Sequence, residues 1–433
     1  MIPVAEFARR RRELMQLAES DSIIIVPAAN ETLRNGDSHH PFRQDSDFLY
    51  LSGYREPDAV LVLVPGRDGG EALMFCRERD PERERWDGAR LGLDGVRETL
   101  GFDDAFPIAD LDEILPGLME NRAHIYHSIG RDAQFDQRVI GWRNRLREQR
   151  RNARGPEEFI ALNHLLGEMR LFKSSAELKC MRRAARISAT AHKRAMRAAR
   201  PEGGEAELMA ELMHEFLRHG YPPAYTPIVA GGHNALVLHY INNDQPLPES
   251  GLVLIDAGCE VEGYAADITR TFPVNGRFQP AERTIHELVR TAQLAAIDAV
   301  RPGRSFHAVH EAALRVLAEG LVELGLIDGP LDDALAEERY KRFFMHKTGH
   351  WLGLDVHDVG EYRIDGEWRL LEPNMVLTVE PGLYIGQDDD IPTEFRGIGV
   401  RIEDDVRVTR DEPEVLSGSA PAGADEIEQW MRG

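Results

Sequence analysis

The stretch Leu252–Thr271, L-V-L-I-D-A-G-C-E-V-E-G-Y-A-A-D-I-T-R-T, constrains the fold more than any other. Its apolar run Leu252–Ile255 reads as a buried strand that delivers Asp256. Gly258 and Gly263 loosen the backbone, and a second extended segment carries Asp267. A hairpin centred between Val261 and Glu262 sets Asp256 opposite Asp267. Directly opposed residues on antiparallel strands share a face, with Cβ atoms about 4.5–5.5 Å apart. Two carboxylates that close repel, and burial raises the cost, so a shared proton or a cation must compensate. An Asp after a strand is also an ordinary turn residue. The metal reading therefore depends on ligands supplied elsewhere in the chain.

Four later stretches offer them. F-M-H-K-T-G-H-W-L-G-L-D-V-H-D-V-G holds His346, His350 and His357, and its Gly349 and Gly353 favour looping or extended backbone over a helix. In M-V-L-T-V-E-P-G-L-Y, the apolar run Met375–Val379 delivers Glu380, and an ionised carboxylate ending a buried strand needs a partner. In G-I-G-V-R-I-E-D-D-V, Arg401 and Glu403 share one strand face. Arg401 there either pairs with Glu403 or orients it as a ligand. Alternation in A-L-V-L-H-Y places His239 at the end of another strand. Asp256, Asp267, Glu380 and Glu403 would bring four negative charges, which two divalent cations balance. Carboxylates with one imidazole suit Mn²⁺, with Co²⁺, Fe²⁺ or Zn²⁺ as alternatives. Two ions about 3.5–4 Å apart form the hydrolytic two-metal arrangement.

A chain of 433 residues exceeds what one core usually serves and implies two domains. The net charge of −22 argues against a nucleic-acid partner. Cys76, Cys180 and Cys259 are too scattered for a disulfide framework, which points to a reducing compartment. No secretory signal or bilayer-length apolar run is legible, so a cytoplasmic protein without a membrane partner is expected.

Strands at Ile23–Val26, Ala59–Val64 and Leu73–Cys76 interleave with helices at 6–19, Asp110–Glu120 and Asp132–Glu148, an α/β pattern. The sequence turns basic around Arg150–Pro156, and an amphipathic run covers Phe159–Leu171. The boundary falls near Phe172–Ser175, where Ser175 opens a helix over Ala176–Ala199. Helices at Glu205–His219, Pro280–Val300 and Ser305–Leu324 precede a strand-rich last third, and the tail beyond Ser417 reads as peripheral.

The set D-A-G-C-E…G-Y-A-A-D-I-T-R-T-F-P-V-N-G, H-W-L-G-L-D-V-H-D-V-G-E-Y, L-T-V-E-P-G-L-Y-I and R-G-I-G-V-R-I-E-D-D resembles the pita-bread metallopeptidases. These include Xaa-Pro aminopeptidases (aminopeptidase P), prolidases, methionine aminopeptidases and creatinase. The likeness is greatest to the bacterial Xaa-Pro aminopeptidases. It extends to F-R-Q-D-S-D-F-L-Y-L-S-G, R-W-D-G-A-R-L-G and E-M-R-L-F-K-S in the first half.

The resemblance implies an α/β (α+β) chain: a creatinase-like N-terminal α/β domain, residues 1–172, and a pita-bread catalytic domain with a curved antiparallel sheet, residues 173–433. It implies two divalent ions per subunit. Asp256 and Asp267 would serve one, His350 and Glu380 the other, with Glu403 bridging both. The activity implied is removal of the N-terminal residue from peptides with proline second, by a hydroxide bridging the metals. Glu380, His357, His239, His346 and Arg401 are the catalytic candidates. Asp37, Trp86 and Tyr225 are candidates for contacting substrate or a neighbouring subunit, in a homotetramer or homodimer. A prolidase restricted to dipeptides is the nearest alternative, and a non-catalytic pita-bread peptide-binding protein is a distant one. Two stretches follow the family pattern loosely, H-K-T-G-H at Lys347 and Thr348 and R-I-D-G-E-W-R over residues 363–369, and both bear on substrate preference.

Overall fold

A computed structural model describes residues 1–148 and 154–432. The chain divides into two compact units, Met1–Met169 and Arg170–Gly433.

The first unit is built on a six-stranded sheet. Its order is Asp104–Pro107, Ala72–Cys76, Val60–Leu63, Ser22–Pro27, His124–His127, Glu158–Ala161. Ser22–Pro27 pairs antiparallel with Val60–Leu63 and parallel with His124–His127, so the sheet is mixed. The central strands are continuous apolar runs because both faces are covered. Ile23, Ile25, Val62 and Phe75 pack with Leu115, Val139 and Trp142 from the helices Leu111–Met119 and Ala133–Glu148. Asp132 caps the latter helix, accepting from the backbone N–H of Gln134 and Phe135. The amphipathic run at Phe159–Leu171 is two elements, the strand Glu158–Ala161 and a helix from Asn163. The basic run at Arg150–Pro156 lies largely outside the described residues.

The second unit sets four long helices against short antiparallel strands. Ser175–Ala198 packs on Glu205–Arg218, and Pro280–Ala299 on Phe306–Glu323. The first of these is opened by Ser174, one residue before the expected Ser175. Ser174 and Glu177 form a reciprocal capping box. Leu252–Asp256 lies between Ile228–Gly231 and Thr269–Pro273. Val376–Val379 pairs with Asp404–Arg407, and Gly382–Tyr384 with Gly399–Arg401.

Three expectations need correction. Asp256 pairs with Thr269, not Asp267, because the hairpin turns at Glu262–Gly263. Both turn residues have positive φ, 58° and 89°, the conformation of a type I′ turn. His239 does not end a strand: a 3₁₀ turn over Gly232–Leu236 precedes it, and its side chain is exposed. The tail beyond Ser417 is not peripheral. Ala420, Ala422 and Ile427 are buried, and the Arg270 guanidinium donates to the carbonyls of Ala420 and Pro421.

Candidate metal centre

The ladder of Leu252–Asp256 stops at Asp256, where Gly258 lets the chain cross its partner closely. A Cβ on Gly258 would lie 1.7 Å from the carbonyl oxygen of Ala266. Asp267 follows that crossing, two residues before Thr269 and so on its face. The two carboxylates converge on one group. The Tyr225 hydroxyl lies 2.6 Å from Asp256 Oδ1 and 2.5 Å from Asp267 Oδ1. A hydroxyl has one proton to donate, so the second contact requires a proton on a carboxyl.

The other ligand candidates arrive from separate elements. The segment holding His350 runs beside Val376–Val379, with the Thr378 N–H donating to the His350 carbonyl at 2.9 Å. The Glu380 N–H donates to the Thr348 carbonyl at 2.8 Å. His350 Nε2 is 3.5 Å from Asp267 Oδ2 and 3.7 Å from Glu380 Oε1. Its Nδ1 lies 2.9 Å from the Trp351 carbonyl, which turns Nε2 toward the acids. Glu403 is buried, and its Oε2 accepts from the Thr269 hydroxyl at 2.7 Å. Ligand atoms of Asp267, His350 and Glu403 all lie within 4.8 Å of one another.

The electrostatics of the cluster follow from its burial and its crowded acids. Burial, with the charges of Asp267 and Asp256, carries Glu380 up to about 7. Burial, with Asp267 and Glu380 nearby, pushes Glu403 well above the usual range. Burial also raises Asp256, although Arg401 opposes it. At Asp267 the bonds from His350 and Tyr225 outweigh burial and hold the carboxyl below its usual range. Burial disfavours a charged His350, yet Asp267 and Glu380 prevail and lift it to about 9. Acids forced to retain protons beside one cationic imidazole are short of positive charge. Divalent cations supply it in a form that carboxylate oxygens and imidazole bind. The residues present fit metal.

Arg401 does not pair with Glu403. Its Nη2 meets Asp256 Oδ2 at 2.7 Å, its Nη1 meets the Tyr384 hydroxyl at 2.9 Å, and its Nε reaches the Thr269 hydroxyl at 3.2 Å. Arg401 and Glu403 thus share Thr269. His346 Nε2 is 2.9 Å from the Tyr384 hydroxyl. Burial and the Arg401 charge keep His346 neutral, lowering it to about 4. His357 sits edge-on to His350 with ring centroids 4.3 Å apart, and burial and that neighbour lower it too. His239 stands exposed beyond the 3₁₀ turn Gly232–Leu236. Asp37 and Trp86 belong to the first unit. Asp37 is exposed in the turn between Leu33–Asn35 and Ser38–His39, and Trp86 is 86% exposed.

Sequence reasoning missed Thr269, Tyr384 and Asp405. Thr269 and Tyr384 stand two and four residues beyond named acids, and strand alternation from Asp267 would have found Thr269. Asp405 accepts the Asp267 N–H at 3.1 Å, a contact between distant segments that no local pattern signals.

Known proteins share this arrangement's sequence. Residues 179–410 match the model of Metallopeptidase family M24, and residues 7–126 that of Aminopeptidase P, N-terminal domain. The chain is 44% identical over 429 residues to an Xaa-Pro aminopeptidase of Escherichia coli (strain K12), covering 98% of this chain and 97% of that one. It is 36% identical over 438 residues to Xaa-Pro aminopeptidase 3 of Rattus norvegicus, covering 98% and 85%. The solved structure of Pseudomonas aeruginosa aminopeptidase PepP is similar with a TM-score of 0.99 at 54% identity, covering 100% and 99%. Zn-substituted Escherichia coli aminopeptidase P in complex with product gives 0.97 at 44%, covering 100% and 98%. End-to-end identity of this order, over a fold that gathers the acids and imidazole of a metal site, makes the chain a member of metallopeptidase family M24, of the Xaa-Pro aminopeptidase kind.

Proposed function

We propose that this protein is a metal-dependent aminopeptidase that releases the first residue from peptides carrying proline second. The observation that carries the reading is the convergence of Asp256, Asp267, His350, Glu380 and Glu403, four acids and one imidazole drawn from separate elements. Asp256, Asp267, His350, Glu380 and Glu403 would hold two divalent ions, most suitably Mn²⁺. Such ions supply Lewis-acid polarisation and lower the pKa of water toward neutrality.

The chain's own groups do the rest. Glu380, whose Oε1 lies 3.7 Å from His350 Nε2, is placed to take a proton from water and deliver it to the departing proline nitrogen. His357 donates a hydrogen bond to the carbonyl oxygen as charge develops there. His239 and His346 hold the proline ring and its carbonyl, with His346 set by Tyr384. Arg401 fixes Asp256 and Tyr384 together. The free amino terminus binds beside Asp256, which confines cleavage to the first residue.

Residues 1–172 act as the creatinase-like domain and 173–433 as the catalytic domain. Exposed Trp86 and Leu33 support a homotetramer or homodimer in which Asp37 and Trp86 reach substrate or a neighbouring subunit. Three buried free cysteines and the absence of any described helix long and apolar enough to cross a membrane support a cytoplasmic location.

The test uses three substrates: an Xaa-Pro-Xaa peptide, the same peptide with alanine second, and an Xaa-Pro dipeptide. Cleavage of the first well above the other two is expected, with turnover lost by orders of magnitude in Glu380→Ala and His357→Ala. Activity on the dipeptide alone would establish a prolidase instead. Full activity in either variant would remove that residue's role.

A further inference from the structure

A cavity of about 320 Å³ lies behind the segment that carries His350. Leu377 pairs with Trp351, while the neighbouring Thr378 hydroxyl accepts from the His350 N–H at 3.1 Å. Strand alternation therefore turns Leu377 away from the metal cluster. Leu377 lines this cavity, as do Phe306 and His310 of the helix Phe306–Glu323, Lys347, Thr348, and Trp368 of the hairpin Arg363–Trp368. Its walls thus join the two stretches that follow the family pattern loosely, H-K-T-G-H and R-I-D-G-E-W-R.

The lining is aromatic on several sides. The Phe306 ring packs 4.7 Å from that of Trp351 and 4.8 Å from that of Tyr362. Trp368 is sandwiched, with His307 stacked on its ring at 4.7 Å and 12° and the Arg363 guanidinium carbon 4.3 Å from its centroid, which leaves its edge for the cavity. The polar groups are few and placed together. His310 Nδ1 is 2.8 Å from the Thr348 hydroxyl, and Nε2 has no protein partner among the described residues. Lys347 lies within no carboxylate's ion-pairing distance among the described residues. Burial and the nearby Lys347 charge keep His307 and His310 neutral. The charged group lining the cavity is the exposed Lys347 ammonium, and a cation at the mouth of an apolar chamber favours an anionic head on an apolar body. The volume falls within the range of small-molecule sites.

We propose that this cavity is a binding site for a small planar aromatic carboxylate, its ring against Phe306 and the edge of Trp368 and its carboxylate on Lys347. Neither the metal cluster nor peptide cleavage is needed for that binding, so the site stands or falls separately from the peptidase reading.

Calorimetric titration of the metal-loaded full chain tests it, with indole-3-acetate as the probe and neutral indole and hexanoate as comparisons. Saturable 1:1 binding of indole-3-acetate is expected, with both comparisons at least about tenfold weaker. Lys347→Met and Trp368→Ala should each weaken the probe by at least about tenfold. Both side chains lie outside the metal cluster, and circular dichroism would show whether each variant is folded. Absence of saturable binding, equal affinity in folded Lys347→Met, or hexanoate binding as tightly as the aryl acid would each overturn the proposal. So would displacement of the probe by a Pro-Leu dipeptide, which would put the probe at the peptide site.

Discussion

Tyr225 faces two carboxylates with one proton. In the bare cluster its hydroxyl touches both Asp256 and Asp267, and burial with those two charges raises its own pKa well above the ordinary phenol range. The phenol therefore stays protonated, and it fixes the spacing of the two acids. Removing the hydroxyl leaves both acids in place but free to separate. Tyr225→Phe should lower metal affinity about 10–100-fold, as losses around a first coordination shell do, with the far-ultraviolet spectrum unchanged. Titration with Mn²⁺ after chelation reads this. A second residue carries a pH signature away from the metal. Glu414 is bridged by Arg182 at 2.6 Å and by Arg407 at 2.8 Å, and the bond to Arg182 chiefly holds its carboxyl down to about 2. A depressed carboxyl stabilises the fold above its unfolded pKa of about 4.3 and loses that effect as pH falls toward the folded value. Glu414→Gln should cost about 1 kcal/mol at neutral pH, the site being one-third exposed. The difference in urea-unfolding free energy should narrow between pH 5 and pH 3; a constant difference would contradict the assignment.

Among the elements, the loop that carries His357 is held by buried charge. Arg170 and Lys173 open the second unit and meet Asp358 at 2.5 and 3.0 Å, with Asp355 also on Arg170 at 2.8 Å. The Arg170, Lys173 and Asp358 side chains are each about 2% exposed or less. Asp358→Asn leaves Lys173 as a buried cation without its carboxylate, at a cost of about 3–5 kcal/mol. Adding Lys173→Met should recover part of that loss in urea unfolding; no recovery would show the pair to be incidental. The same scale explains what the sequence could reveal. Apolar runs ending at Asp256 and Glu380 and the glycine-flanked histidines were readable because each is a local pattern. The hairpin register was misjudged because Gly263 was read as loosening the backbone, whereas it is the second residue of the turn. Moving the hairpin centre by one residue changes the pairing by two, which keeps the same face. The convergence of Asp256 and Asp267 therefore survived the error. His239 was misplaced because alternation in A-L-V-L-H-Y has no neighbouring strand to pair with. The tail beyond Ser417 reads as peripheral because no local pattern signals that Arg270 reaches the carbonyls of Ala420 and Pro421. Both misreadings turned on contacts between segments far apart in sequence.

For the whole molecule, the acids of the site are drawn from a strand end, a crossing, a second strand end and a sheet junction, and only the fold brings them together. Their mutual repulsion works against that fold unless cations balance it, so metal retention and activity should depend on one another. The direct test is to strip the purified protein with a chelator, count residual metal, assay an Xaa-Pro-Xaa peptide, and repeat after graded addition of Mn²⁺. Turnover should vanish in the stripped protein and return in proportion to bound metal, reaching its full value at two ions per chain. Peptide cleavage by protein shown to hold no metal would contradict the account.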